Sequence, residues 1–173
     1  LVTGVQTCAL PFSTLECAVS LNNGIVTVSS ISTNNSAKVN DFVELRDQDP
    51  NRFMGLGTTK AAAIINDRLA PMLIGQNPTK QEELDKILLS LDHSKNLNSI
   101  GSNSTMVVSQ AIMKAAALSY GWPTYYYLLK KYQLASAIVV PTCMYGLIDG
   151  GKHGTDNLDF QEYQIIQIGR AHV

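Results

Sequence analysis

The chain contains 173 residues, of which 45% are hydrophobic and 16% are charged, and its net charge at neutral pH is −1. This length and composition predict one globular domain with a sizeable core, and the balanced charge argues against a nucleic-acid partner. No apolar run reaches the roughly 20 residues of a membrane helix, so we expect a soluble protein without a membrane span. The odd number of cysteines favours a cytoplasmic protein over a disulfide scaffold.

The two ends of the chain differ in character from the rest. Residues 1–11 and residues 168–173 look like translated sequencing-library adapter. A signal peptide is the plain alternative for the first stretch, but that stretch has neither a positively charged start nor a continuous apolar core. We therefore expect both ends to be artefacts outside the fold, to carry no function, and to flank a fragment of a longer protein.

Three strands are predicted next. From residue 12 onward, apolar residues alternate with others at Leu15, Cys17, Val19 and Leu21, which is the period of a half-buried strand. Residues 22–24 form a turn signal, and the β-branched residues 25–31 should pair back onto the first strand. Val39 to Arg46 is predicted as a third, weaker strand. The run of Ser, Thr and Asn at residues 32–38 is typical of a solvated loop.

Polar residues follow at Glu44-Leu45-Arg46-Asp47, before a glycine-containing stretch at residues 52–57. The plain interpretation is an acid–base pair at a strand end followed by a bend. The functional alternative places Arg46 and Asp47 in a structural network under an active site.

Helices are predicted over most of the remaining chain. The first runs from Thr58 to Leu69 and should end at Pro71, because proline cannot continue a helix. Thr79 and Glu82 have the spacing of a capping box ahead of the second helix. The longest helix is predicted from Thr105 to Tyr120, with a buried stripe formed by Val108, Ala111, Ile112, Ala115 and Leu118.

A last helix should begin at Pro123 and contains three adjacent tyrosines, residues 125–127. Adjacent residues on a helix point in different directions, so these rings are not expected to form one stacking platform for bases.

Paired glycines, a histidine and an adjacent amide and carboxylate mark the last part of the chain, at Gly150, Gly151, His153, Gln161 and Glu162. The glycines favour a mobile loop whose polar groups could close over a small anionic ligand. The plain alternative is a solvated histidine and an ordinary strand entry.

The order of these residues resembles the second mobile active-site loop of enolase. The family pattern there is Asn-Gly-Gly-x-His-Ala, followed by an apolar-Gln-Glu-Phe strand. The corresponding residues here are Asp149-Gly150-Gly151-Lys152-His153-Gly154 and Phe160-Gln161-Glu162-Tyr163. The Glu-Leu-Arg-Asp motif at residues 44–47 and the run at residues 100–109 also resemble the family, over about residues 13–167 in all.

The resemblance implies an α+β fold: a three-stranded antiparallel meander followed by a helical layer, which caps a barrel domain that is missing here. Residues 12–141 would form this amino-terminal capping domain. Residues 142–167 would form the mobile active-site loop and the first strand towards the barrel. The full-length parent would be a magnesium-dependent lyase of glycolysis, typically dimeric, that reversibly dehydrates 2-phosphoglycerate to phosphoenolpyruvate.

The resemblance also implies roles for four residues. Glu162 would be catalytic, near the leaving hydroxyl, while His153 and Gln161 would bind substrate. Ser36 would help to ligate the second magnesium ion, but the glycines that flank it in the family are replaced by Asn34 and Lys38. Lysine tolerates left-handed backbone poorly, which weakens this last expectation.

Most magnesium ligands, the catalytic base and the catalytic acid would lie in the missing barrel, so we expect the fragment alone to be inactive. Two alternatives remain open. The parent could be an enolase-like paralogue without this activity, or the chain could be a stand-alone interaction domain.

Overall fold

The computed structural model describes residues 2–9, 12–32, 42–135, 138–151, 158–166 and residue 169. The chain divides into two units, residues 1–134 and residues 135–173. A three-stranded sheet packs against helices in the first unit, and a two-stranded hairpin forms in the second. The α+β class expected from the sequence is confirmed.

The sheet of the first unit is antiparallel with the order β1-β2-β3, formed by Val2–Ala9, Phe12–Ser20 and Val26–Ser32. Leu15, Cys17 and Val19 alternate along β2 with half-buried residues and face the core. The turn after β2 is closed by the N–H of Leu21, which donates to the C=O of Ile25 at 2.8 Å. The predicted pairing of the segments on either side of this turn is therefore confirmed.

The third strand of this sheet is not the one expected from the sequence. Residues 42–46 form no strand, residues 39–41 lie outside the described part, and residues 2–9 form β1 although we expected them outside the fold. The backbone of residues 42–46 forms hydrogen bonds with residues outside the sheet. Val43 N–H donates to the C=O of Asn96 at 2.8 Å, and Leu45 N–H donates to the side chain of Asn103 at 3.0 Å. That residues 1–11 and 168–173 are artefacts stays a prediction.

One helical segment passes through a proline. Helix α1 (Thr59–Ile64), a π-helical turn (Ile65–Leu69) and helix α2 (Ala70–Leu73) follow one another without a break. The prediction that Pro71 ends this helix is therefore wrong. The N–H of Ala70 donates to the C=O of Ile65, five residues back, and this wider turn relieves the clash between a proline ring and the carbonyl four residues earlier.

The helical layer is completed by α3 (Gln81–Ser90), α4 (Ser102–Ser119) and α5 (Thr124–Tyr132). Helix α4 packs across β2 and β3. Four residues of its predicted stripe are buried, namely Val108, Ala111, Ile112 and Ala115, whereas Leu118 is 47% exposed. The stripe is thus confirmed except at its last residue.

The predicted capping box before α3 is wrong. The Thr79 hydroxyl donates to Asn77 Oδ1 at 2.9 Å, and the side chain that precedes the helix, Lys80, makes no cap. Asn77 Oδ1 also accepts from the N–H of Thr79 at 3.0 Å, so a local turn holds the hydroxyl away from the helix. Glu82, the other expected member, pairs with Lys131 at 3.3 Å.

The three tyrosines of α5 point in different directions, as predicted, because Tyr127 is buried while Tyr125 is 62% exposed. Within the described ranges, no helix is both long enough and apolar enough to cross a membrane.

The second unit contains an antiparallel hairpin of β4 (Met144–Asp149) and β5 (Glu162–Ile166). The register shifts once, between Gly146 and Ile148. Every residue of both strands is exposed within the described structure.

Candidate functional site

Two backbone hydrogen bonds close the β4–β5 hairpin where its strands meet the connecting loop. This end, around Gly150 and Gln161, is called the hairpin base. Gly150 N–H donates to the C=O of Gln161 at 2.7 Å, and Gly151 N–H donates to the C=O of Leu158 at 3.3 Å. A Cβ atom at position 150 would lie 2.2 Å from the carbonyl oxygen of Phe160, so only glycine permits this close approach. Gly150 thereby fixes the backbone at the start of β5.

Two of the predicted site residues lie at this base. Gln161 immediately precedes β5, Glu162 is the first residue of the strand, and both are exposed. Glu162 Oε2 accepts a hydrogen bond from Gln164 Nε2 at 2.7 Å. An ionised carboxylate has about four acceptor sites, so Glu162 keeps the capacity to accept hydrogen bonds from a ligand.

A second carboxylate faces Glu162 across the hairpin, and the sequence analysis missed it. Asp149, the last residue of β4, is the register partner of Glu162. Like charges directly opposite each other on neighbouring strands destabilise the pairing. A signal was available, because the enolase pattern has Asn where this chain has Asp149.

The other two predicted site residues, His153 and Ser36, lie outside the described residues. The structure therefore brings Gln161 and Glu162 together beside Asp149. The roles proposed for His153 and Ser36 stay predictions.

Metal-binding capacity is limited in the described ranges. They contain no group of three or more His, Cys, Asp or Glu side chains that could hold a metal ion. These residues do not by themselves make a site for the magnesium ions that the resemblance implies.

Two ion pairs hold the polar motif at residues 44–47 in the first unit. Arg46 pairs with Glu44 and donates to the C=O of Leu56 at 3.3 Å. Asp47 pairs with Arg52 at 2.5 Å. The acid–base pairing of the plain interpretation is present, between Arg46 and Glu44 and between Arg52 and Asp47.

Asp47 also caps a helix from a distance. Its Oδ1 accepts from the backbone N–H of Lys60 at 2.9 Å, at the start of α1. Burial raises the pKa of Asp47, but hydrogen bonds from Lys60 and Thr59, together with the Arg52 charge, outweigh burial and hold the pKa below its usual value. Asp47 is thus an ionised structural anchor.

A buried aspartate outside any motif fixes the loop before α4. Asp92 Oδ1 accepts from the N–H of Ser94 at 2.8 Å, and its Oδ2 accepts from Ser99 at 2.7 Å and from Ile100 at 3.1 Å. Sequence reasoning missed this residue because its partners are backbone groups, which no residue pattern reveals.

Comparison with known proteins gives concordant results. The model of the family "Enolase, N-terminal domain" matches residues 11–128. The chain is 41% identical to enolase of Ehrlichia canis (strain Jake) over 158 aligned residues. The aligned region covers 91% of this chain and 37% of the relative. It is 37% identical over 156 residues to enolase 1 of Methylococcus capsulatus (strain ATCC 33009 / NCIMB 11132 / Bath), covering 90% of the chain and 36% of the relative. The chain spans just over a third of these relatives, and it belongs to the enolase family.

Proposed function

We propose that this chain is the amino-terminal part of a longer enolase, which reversibly dehydrates 2-phosphoglycerate to phosphoenolpyruvate with magnesium. The observation that carries the proposal is the hairpin base, where Gly150 fixes the backbone that presents Gln161 and Glu162. Family membership suggests the reaction class. The hairpin contributes two polar side chains, Gln161 and Glu162, which are both exposed and so accessible to a substrate.

Each proposed role follows from the chemistry of its side chain. The carboxylate of Glu162 accepts hydrogen bonds and so suits a position near the leaving hydroxyl, while the amide of Gln161 can donate to the substrate carboxylate. His153 is proposed on the phosphate side, and Ser36 as a weak ligand of one magnesium ion. Magnesium, when bound, stabilises the negative charge that forms as the carbon-bound proton is removed.

The longer protein is proposed to be a cytoplasmic homodimer, as is typical of the family. Most of the metal ligands and the proton-transferring groups are proposed to lie outside the present chain. Purified as it stands, the chain should therefore form no phosphoenolpyruvate above background, since loss of such groups removes many orders of magnitude of rate.

The test uses the complete reading frame from the source genome. Phosphoenolpyruvate formation is followed by absorbance at saturating magnesium for the unmodified protein, Glu162→Gln and His153→Ala. Glu83→Gln is the matched control, because Glu83 is an exposed helix residue paired with Lys80 at 3.0 Å. We expect a large loss of kcat in the two loop variants, little change in the control, and thermal midpoints close to that of the unmodified protein.

An inactive complete protein would refute the proposed activity and favour the enolase-like paralogue. The replacement of flanking glycines by Asn34 and Lys38 is the sequence feature on which that alternative depends. A reading frame that stops near residue 167 would favour a stand-alone interaction domain instead.

A further inference from the structure

An amide side chain takes the place of a strand beside residues 42–47. Asn103, near the start of α4, accepts at Oδ1 from the N–H of Leu45 at 3.0 Å and donates from Nδ2 to the C=O of Leu45 at 3.1 Å. These are the two bonds that a residue on a neighbouring strand would exchange with Leu45.

Neighbouring groups complete the attachment. Val43 C=O accepts from the N–H of Ser102 at 2.8 Å and from its hydroxyl at 3.1 Å. Val43 N–H in turn donates to the C=O of Asn96 at 2.8 Å. The backbone polar groups of Val43 and Leu45 are therefore all bonded to residues 96–103, although neither residue is in a strand.

The close approach depends on Gly101. Its φ is +81°, and a Cβ atom there would lie 2.7 Å from Asn103 Oδ1 and 2.7 Å from Leu45 Cγ. Asn103 is 4% exposed, so its amide is shielded from competing water. Serine offers only one polar atom at this position and glutamine is longer by a methylene, which leaves asparagine as the side chain that reaches both groups of Leu45.

We propose that Asn103 is a positioning residue: its amide docks Leu45 onto the start of α4 and so fixes the backbone that carries Glu44 and Arg46. The inference goes beyond the proposed function, because it concerns how this segment is held in the first unit and not what the parent protein catalyses. Loss of the amide should release residues 43–46 while the core built on α4 stays folded.

The substitution Asn103→Ala tests this role, because it removes both bonds to Leu45 and adds no charge. An acidic replacement would not isolate the amide, since Oδ1 of Asn103 accepts from the N–H groups of both Leu45 and Ser104, and an ionised carboxylate would keep those two bonds.

The measurement is amide hydrogen exchange of Leu45 in the full 173-residue chain, made at one pH for all variants. In Asn103→Ala, protection of Leu45 should be at least about tenfold lower than in the unmodified chain. Val108 and Ala111, buried on α4, serve as internal references and should change much less. Asn98→Ala is the matched control, because Asn98 is exposed and undergoes the same chemical change.

Unchanged protection of Leu45 in Asn103→Ala would overturn the proposal. Parallel loss at Val108 and Ala111 would also overturn it, since Asn103 would then support the whole fold. If Asn103→Ala does not fold, Ser102→Ala removes only the hydroxyl bond to Val43. That variant should raise exchange of Leu45 selectively, by about threefold, and an unchanged rate would refute the docking role. Exchange needs no catalysis, so this result is independent of whether the parent is an active enolase.

Discussion

Replacing Gly150 by alanine should open the base of the β4–β5 hairpin. The added Cβ atom would lie 2.2 Å from the carbonyl oxygen of Phe160 and 2.8 Å from the Cβ of Leu158, well inside ordinary contact distance. The backbone must therefore move by about 1 Å, and the 2.7 Å hydrogen bond from Gly150 to Gln161 would break.

The magnitude follows from these two effects. Overpacking costs about 1–3 kcal/mol, and a lost backbone hydrogen bond costs about 1 kcal/mol. We therefore expect local opening of the hairpin to become easier by about 2–4 kcal/mol, which is at least about 30-fold in the opening equilibrium.

Two other glycines of the hairpin provide graded controls. A Cβ atom on Gly146 would meet no atom within 4 Å, so Gly146→Ala should leave the hairpin unchanged or slightly more stable. Gly151 has a φ of +57° but no contact closer than 3.6 Å, so Gly151→Ala should cost only about 1 kcal/mol of backbone strain. Sensitivity should therefore decrease in the order Gly150, Gly151, Gly146.

Hydrogen exchange followed by mass spectrometry of peptides that cover β4 and β5 measures this opening directly. Urea unfolding of the whole chain is not a substitute, because the hairpin lies in the second unit and the main core lies in the first. If Gly150→Ala exchanges at the rate of Gly146→Ala, the hairpin base does not depend on glycine at this position.

Three further predictions concern the first unit and the cysteines. Asp92→Asn should lower the free energy of unfolding by about 1–3 kcal/mol in urea at neutral pH, because an NH₂ group replaces an oxygen that accepts backbone hydrogen bonds. Burial raises the pKa of Asp92, but the bonds from Ser94 and Ser99 outweigh it and hold the pKa well below its usual value. The stabilisation is therefore complete above about pH 4 and is lost as the pH falls towards the lowered pKa, so the difference between the proteins should shrink in acid. Burial raises the pKa of Cys17 to about 12, so brief iodoacetamide treatment should label the exposed Cys143 and spare Cys17; equal labelling by peptide mapping would contradict this. Deletion of residues 1–11 should lower the urea midpoint because β1 pairs along β2, whereas deletion of residues 168–173 should change stability by less than about 0.5 kcal/mol; an unchanged midpoint in both cases would support the expectation drawn from the sequence.

The sequence predicts the periodic elements well. The alternation at Leu15, Cys17 and Val19 and the stripe through Val108 and Ala111 mark surfaces that are in fact buried. These signals depend only on which residues are apolar and on the repeat of the backbone, so they can be recognised without knowledge of tertiary partners.

The wrong predictions occur where a side chain takes over a backbone role. Leu45 is not in a strand because Asn103 meets its hydrogen-bonding groups, and Thr79 does not cap α3 because Asn77 binds its hydroxyl more locally. Pro71 does not end its helix because the preceding turn widens. Each outcome depends on a competing partner or geometry that residue periodicity does not contain.

The candidate site is predictable to a similar extent. The glycines and the Gln161-Glu162 pair are visible in the order of residues. The facing of Asp149 and Glu162 is not, because residues 150–161 separate them in the chain and residue order does not fix the strand register across a connection of that length.

The π-helical turn at Ile65–Leu69 makes the length of its helix as important as its composition. Such a turn contains one residue more than an α-helical turn over the same span. Deleting one of the exposed residues 66–68 would let this turn close to α geometry, with the following residues on the same face of the helix. Ala70 and Leu73 would then stay in the core, but the ring of Pro71 would again oppose the carbonyl four residues earlier. These surface positions should therefore tolerate many substitutions but no loss of a residue, and relatives without the extra residue should lack proline at the position of Pro71.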